Sequence, residues 1–139
     1  KIVREMFFIL EKKLVDVELI VETGEYKPVI LADQGHMKQV FMNLIKNAGE
    51  AMPDGGTLTF RFKREENMMQ VEVQDTGNGI VEENQQQLFK KFFTTKERGY
   101  GLGLYIVHKI IERHGGKISV QSTVGEGTIF TILLPIEVE

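Results

Sequence analysis

Cysteine is absent from the 139 residues, which excludes disulfides and thiolate metal sites and fits a reducing compartment. No apolar run reaches the ~18 residues that a membrane-spanning helix needs. The opening Lys1-Ile2-Val3-Arg4-Glu5 has none of the layout of a secretory signal. An initiator methionine is missing too, so the chain is expected to be a fragment of a longer protein. A basic surplus is also lacking. Lys and Arg total 17 against 20 Asp and Glu, a net charge of −3, and no nucleic-acid partner is expected. Neither an internal repeat nor a low-complexity tract interrupts the chain, and its length suits one domain with one core.

The periodicities give the elements. Val3, Met6, Phe7, Leu10 and Leu14 stand at helical spacing and predict a first helix over residues 1–14, continuing from an upstream linker. Val17, Leu19 and Val21 alternate with Glu18 and Glu22 as in a strand, and Val29 to Ala32 reads as another short one. From His36 to Met52 a helix is predicted, because Val40, Phe41, Leu44, Ile45, Ala48, Ala51 and Met52 share one face. Gln39, Asn43, Asn47 and Glu50 line the polar strip beside it. After the turn at Pro53-Asp54-Gly55-Gly56, Leu58, Phe60 and Phe62 begin a hairpin whose second strand carries Met69, Val71 and Val73. Residues 82–98 are polar, with Leu88, Phe89, Phe92 and Phe93 as apolar anchors, and read as a short helix and a loop. That segment, extended to about residue 100, is expected to be a lid. A buried helix follows, apolar on nearly every side, and a second hairpin pairs Ile118 and Val120 with Phe130, Ile132 and Leu134. The expected class is α+β, with helices on one face of a mixed, mostly antiparallel sheet.

Two glycine clusters carry the chemistry. Asp75-Thr76-Gly77-Asn78-Gly79-Ile80 closes a strand in which Asp75 falls in phase with the apolar residues. A carboxylate aimed inward needs donors, either local amides or a ligand; an Asx-type turn is the plainer alternative. Gly99-Tyr100-Gly101-Leu102-Gly103-Leu104 opens a helix whose free N–H groups suit an anion. This is neither the dinucleotide fingerprint nor a phosphate-binding lysine loop. Asn43 and Asn47, one turn apart, form either a solvated edge or hard oxygen ligands for Mg2+ carrying a polyphosphate.

Taken together, Asn43 to Ala48, Asp75 to Ile80, Phe89 to Lys96 and Gly99 to Leu104 resemble, in order and spacing, the N, G1, F and G2 boxes of bacterial sensor histidine kinases. The stretch from Ile106 to Gly116 is similar to theirs as well, so the resemblance covers essentially the whole chain. It implies the ATP-binding fold shared with gyrase, Hsp90 and MutL, a two-layer α/β sandwich with nucleotide under a flexible lid. On this resemblance Asp75 accepts from the adenine amino group, and Gly77 and Gly79 let the backbone approach the base. Asn47 is the implied Mg2+ ligand and Asn43 faces the phosphates. Lys96 reaches towards the phosphates from the lid, and Gly99, Gly101, Leu102 and Gly103 cradle them. Thr128 resembles the threonine that holds adenine through water.

Glu50 and Ala51 depart from the pattern, standing where many members have a lysine and an aromatic residue; Lys46 is either a substitute for that lysine or an ordinary solvated side chain. The wording Asn47 to Met52 resembles kinases of sporulation and nitrogen-regulation type. His36, His108 and His114 lack the following acidic residue of a phosphoacceptor, so the acceptor histidine is expected on another module. The implied activity is transfer of the γ-phosphoryl group of Mg-ATP to that histidine. The implied partners are a histidine-containing dimerisation module, making a homodimer of the intact protein, and a response regulator receiver domain. A cytoplasmic location is implied, with no direct membrane contact by this domain even where an upstream sensor anchors the whole. Two other classes stay open: a gyrase-like ATPase, in which a Glu at the place of Asn43 activates water, and a non-catalytic nucleotide-sensing module of anti-sigma type.

Overall fold

The computed structural model describes residues 2–10, 16–23, 34–90 and 103–136. The first helix, α1, runs Ile2–Leu10 and buries Val3, Met6 and Leu10, one side of the predicted helical stripe. Strand β1, Val17–Glu22, alternates half-buried and exposed residues. Helix α2, Gln34–Ala51, takes the predicted apolar face inward: Val40, Leu44, Ile45 and Ala48 are all buried. Its end is set by Pro53 and Gly55. Strands β2, Gly56–Glu65, and β3, Met68–Asp75, form the expected hairpin, turning at Glu66 with a positive φ of 54°. The short helix α3 is Glu82–Gln85, α4 is Gly103–Arg113, and β4, Lys117–Thr123, pairs with β5, Gly127–Pro135, as the second hairpin. The expected strand from Val29 to Ala32 and most of the expected lid lie outside the described residues.

The sheet is open and ordered β1-β2-β3-β5-β4. β1 runs parallel to β2, with α2 as the crossover, and every other neighbour pair is antiparallel. Helices α1, α2 and α4 share the core with the inward residues of β2, β3 and β5, which is the α+β arrangement read from the sequence. The other sheet face carries Arg61, Glu72, Gln74 and Thr131, and there Arg61 Nη1 donates to Gln74 Oε1 at 2.6 Å. That face is polar because side chains alternate across a strand and only one side meets the helices. Among the described residues no helix is long and apolar enough to cross a membrane.

Helix α4 corrects one expectation. It is not buried all round. Val107, Ile110 and Ile111 are buried, whereas Lys109 and Glu112 lie 3.6 Å apart on the outer side. The run Leu104 to Val107 spans a full turn, so some of it must leave the core side: Tyr105 is half-exposed beneath the Lys109 ammonium.

Candidate nucleotide-binding site

The site begins with the register of the sheet. Leu58, Asp75, Thr128 and Ser122 occupy one row across β2, β3, β5 and β4, all pointing to the helix side. The next row inward is Phe60, Val73, Phe130 and Val120. Asp75 therefore sits where the alternation of β3 would put a core residue, and it is only 3% exposed. Burial pushes its carboxyl above the usual range, because the charged form is desolvated, and amide hydrogens from Gly77 and Thr128 pull it back. The Gly77 N–H donates to Asp75 Oδ1 at 2.9 Å. This is the Asx-type turn of the plainer sequence reading, and it coexists with the inward burial. A carboxylate held this way has acceptor capacity left for a donor on a ligand.

The glycines around it are dictated by close approach. A Cβ on Gly77 would overlap the Ala51 carbonyl at the end of α2, and the neighbouring Asn78 N–H donates to that same oxygen at 3.0 Å. Gly79 adopts a φ of +76° and lies against the Thr123 carbonyl, where no side chain fits. Thr76 completes the joint: its Oγ1 accepts the Thr57 N–H at 3.0 Å and donates to Met52 Sδ at 3.6 Å. The Asp75–Ile80 loop is thus bound to α2, β2 and the β4–β5 turn, and Gly125 N–H adds a bond to the Asn78 carbonyl at 2.8 Å. Attachment on three sides fixes the loop beside the Asp75 carboxyl.

On α2, Asn43 and Asn47 are half-buried on the strip bordering the core. Asn43 Nδ2 reaches the Gly103 carbonyl at 3.4 Å, so the asparagine strip faces the first turn of α4. Gly103 is exposed, and a Cβ there would meet nothing within 4 Å. Its amide stands at the helix end, where N–H groups lack intrahelical acceptors. Lys46 and Glu50 are exposed on the same helix, and Ala51, in the place of the expected aromatic residue, makes the close backbone contact with Gly77. Lys96, Gly99, Gly101 and Leu102 lie outside the described residues. The structure brings together Asp75, Gly77, Gly79 and Thr128 at the sheet end, and Asn43 with Gly103 across the α2–α4 seam.

Three residues escape the motif reading. Ser122 Oγ accepts the Ile80 N–H at 2.7 Å and lies 2.9 Å from Thr128 Oγ1. Gln85 Nε2 donates to the carbonyls of Ile80 and Ser122 at 2.8 and 3.0 Å. His108 stacks on Phe89 with centroids 5.6 Å apart, while Phe89 meets Phe130 edge-on. The phase of Ser122 with Ile118 and Val120 was a usable signal, of the same kind that singled out Asp75. Gln85 offered none, since a four-residue helix has no periodicity to read.

Comparison with known proteins gives the family and the fold. Residues 32–138 match the family model described as histidine kinase-, DNA gyrase B-, and HSP90-like ATPase. Sporulation kinase E of Bacillus subtilis is 40% identical over 127 residues, covering 91% of this chain and 17% of that protein. The chain spans between 17% and 26% of the length of the Bacillus subtilis sporulation kinases E, C and A that it matches. The catalytic domain of histidine kinase ThkA superposes with a TM-score of 0.86 at 35% identity, covering 96% of this chain and 90% of that one. A structure of ThkA in complex with response regulator protein TrrA aligns with a TM-score of 0.81 at 32% identity, over 98% of this chain and 40% of that one. With a family model over most of its length and a catalytic domain matched nearly end to end, the chain belongs to the histidine kinase-, DNA gyrase B- and HSP90-like ATPase family, on the side of the histidine kinase catalytic domains.

Proposed function

We propose that this chain binds Mg-ATP and presents its γ-phosphoryl group to a histidine on a separate dimerisation module, as part of two-component signalling. Asp75 is the acceptor for the adenine amino group, and Gly77 and Gly79 admit the base edge beside it. Thr128 supports the base through water. Asn47 offers Mg2+ a neutral, hard oxygen, and the polyphosphate supplies others. The donor chemistry fits a cation that arrives with its phosphates: among the described residues no cluster of three acidic or imidazole groups could hold a metal alone. When bound, the ion neutralises phosphate charge. Gly103, with Gly99, Gly101 and Leu102 before it, gives amide hydrogens to the phosphates, and Lys96 gives a cation from a lid spanning about residues 82–100. The ATP-binding unit is residues 15–139, with helix α1 ahead of it.

The observation that carries transfer rather than hydrolysis is Asn43, at the seam with α4 and 3.4 Å from the Gly103 carbonyl. An amide side chain cannot take a proton from water, so general-base hydrolysis has no base at this position. What remains is holding the phosphoryl group for an incoming imidazole, and positioning of that kind is the larger part of phosphoryl-transfer catalysis. The partners are then the histidine module in a homodimer of the longer protein and a receiver domain downstream, in the cytoplasm. The test is incubation with radiolabelled ATP. Alone the chain should bind nucleotide without labelling itself; a histidine-bearing helical module in trans should acquire an acid-labile, base-stable label. Brisk phosphate release by the chain alone would move it to the ATPase class, and labelling lost on changing His36, His108 or His114 would place the acceptor here.

A further inference from the structure

Helix α3 is four residues long, buries none of them and has no side-chain cap at Val81. A single helical turn is unstable on its own, because nucleation fixes several residues for very few hydrogen bonds. The amides of Asn84 and Gln85 both reach the Val81 carbonyl, at 2.9 and 3.2 Å, and that is too little to hold the turn. Its further support comes from one side chain. Gln85 Nε2 donates to the Ile80 carbonyl at 2.8 Å and to the Ser122 carbonyl at 3.0 Å. Carbonyl oxygens only accept, so both hydrogens of the side-chain amide are spent on these two bonds. The first carbonyl ends the Asp75–Ile80 loop and the second lies on β4. The Ile80 N–H is bound too, to Ser122 Oγ at 2.7 Å, so Ile80 has little room to move without taking Gln85 with it.

We propose that Gln85 is a positioning residue that ties α3 to the Asp75–Ile80 loop, so that nucleotide seated on the loop is felt at α3. This rests on the adenine-binding reading above. A base beside Asp75 and Gly79 restricts the loop, and the Ile80 carbonyl with it. The two donors of Gln85 pass that restriction to the turn, and the chain beyond the turn carries it to Leu88, buried in the core, and to Phe89, which packs on His108 and Phe130. Coupling between two places needs a contiguous physical link, and here one side chain supplies it. It is also reciprocal: a turn held by Gln85 steadies the loop for the base by the same free energy.

The test is titration of the 139-residue chain with ADP, followed by calorimetry and by amide proton–nitrogen correlation spectra. In the unmodified chain ADP should shift the amide resonances of Glu82 to Leu88 along with those of Gly77 to Ile80. Gln85→Met keeps the length and the helix propensity of the side chain and removes both donors. It should abolish the ADP-induced shifts at Glu82 to Leu88, keep those at Gly77 to Ile80, and weaken ADP about two- to fivefold, the worth of a part-buried hydrogen bond. Gln85→Lys, of similar propensity and with donors at its tip, should restore both the shifts and the affinity. Should the methionine variant fail to fold, Gln85→Ala removes the donors with less bulk and carries the same expectation. Resonances of Glu82 to Leu88 that ignore bound ADP in the unmodified chain would overturn the proposal. So would shifts there that persist in the methionine variant, or a lysine variant that restores nothing. If the unmodified chain binds no ADP, the adenine-site reading fails and this inference with it; ADP binding with α3 uncoupled from it defeats this inference alone.

Discussion

The row Leu58, Asp75, Thr128, Ser122 and the row Phe60, Val73, Phe130, Val120 lie side by side on the same face, in the same four strands and the same register. The second is apolar throughout and packs against α2, where Phe41 meets Phe60 edge-on at 5.9 Å. The first carries a carboxylate and two hydroxyls at comparable depth for Asp75 and Thr128, 3% exposed each. Backbone geometry does not distinguish them. What does is the neighbourhood of the loops: the end row meets the Asp75–Ile80 loop and the β4–β5 turn, whose backbone groups satisfy polar atoms, while the inner row belongs to the hydrophobic core. Among the described residues no buried side-chain nitrogen or oxygen lacks a partner. A sheet can thus change from core to site within a single pleat, provided a loop returns to supply donors.

The comparison breaks most visibly from the apolar side. Phe60 is fully buried, and Phe60→Ala should cost about 3–5 kcal/mol of folding stability. Chemical denaturation measures it, and the surviving folded fraction should still bind ADP normally, because the inner row has no part in recognition. Asp75→Asn should do the reverse. Nucleotide affinity should fall by about 2–4 kcal/mol in calorimetry, since a charged acceptor is lost and an amide donor can face the adenine amino group. Stability of the empty chain at neutral pH should be equal or higher, because a desolvated charge has been removed.

The pH dependence follows from the same carboxyl. Its folded pKa is raised, so between the ordinary carboxylate value and the raised one the native state holds more protons than the unfolded state. The contribution of Asp75 to stability therefore improves as pH falls through the raised pKa and worsens as pH rises through it. Asp75→Asn should lack that component, as urea midpoints measured across the acidic range will show. A component of opposite slope would mean that the amide bonds from Gly77 and Thr128 outweigh the desolvation.

Smaller effects sharpen the boundary. Asn47→Ala should weaken Mg2+-dependent nucleotide binding about tenfold, or ~1.4 kcal/mol, and metal-free ADP binding much less. Equal losses would show that the change disturbs α2 rather than the ion. On the solvent side of the sheet, Arg61→Ala removes a bond to Gln74 and an ion pair with Glu22 at 3.5 Å, both part-exposed. It should cost under about 1 kcal/mol and leave ADP binding unchanged.

Much of this boundary was legible before the structure. Asp75 falls in phase with Met69, Val71 and Val73, and its burial follows from strand alternation alone. The asparagine strip of α2 and both hairpins were readable for the same reason, since each is a local period. Ser122 obeyed that rule but carries no charge, so its inward phase raised no conflict for a sequence argument to notice. The parallel pairing of β1 with β2 leaves no local trace, because the crossover that makes it is a helix with its own period. The amphipathic α4 was misjudged because a continuous apolar run hides which of its residues the core has room for.

The pairing of β3 with β5 has a consequence for biosynthesis. Asp75 gains the Thr128 amide only when β5 has docked, after α4 and β4 have been made and placed. Long-range pairings of this sort close late and slow folding. A nascent chain emerging from the ribosome therefore has its aspartate long before it has its pocket. If Asp75 holds the base as proposed, nucleotide does not template the partly made domain, and its binding marks a chain in which β5 is in place. On the reading proposed above, bound nucleotide stabilises only chains in which β5 has docked beside β3.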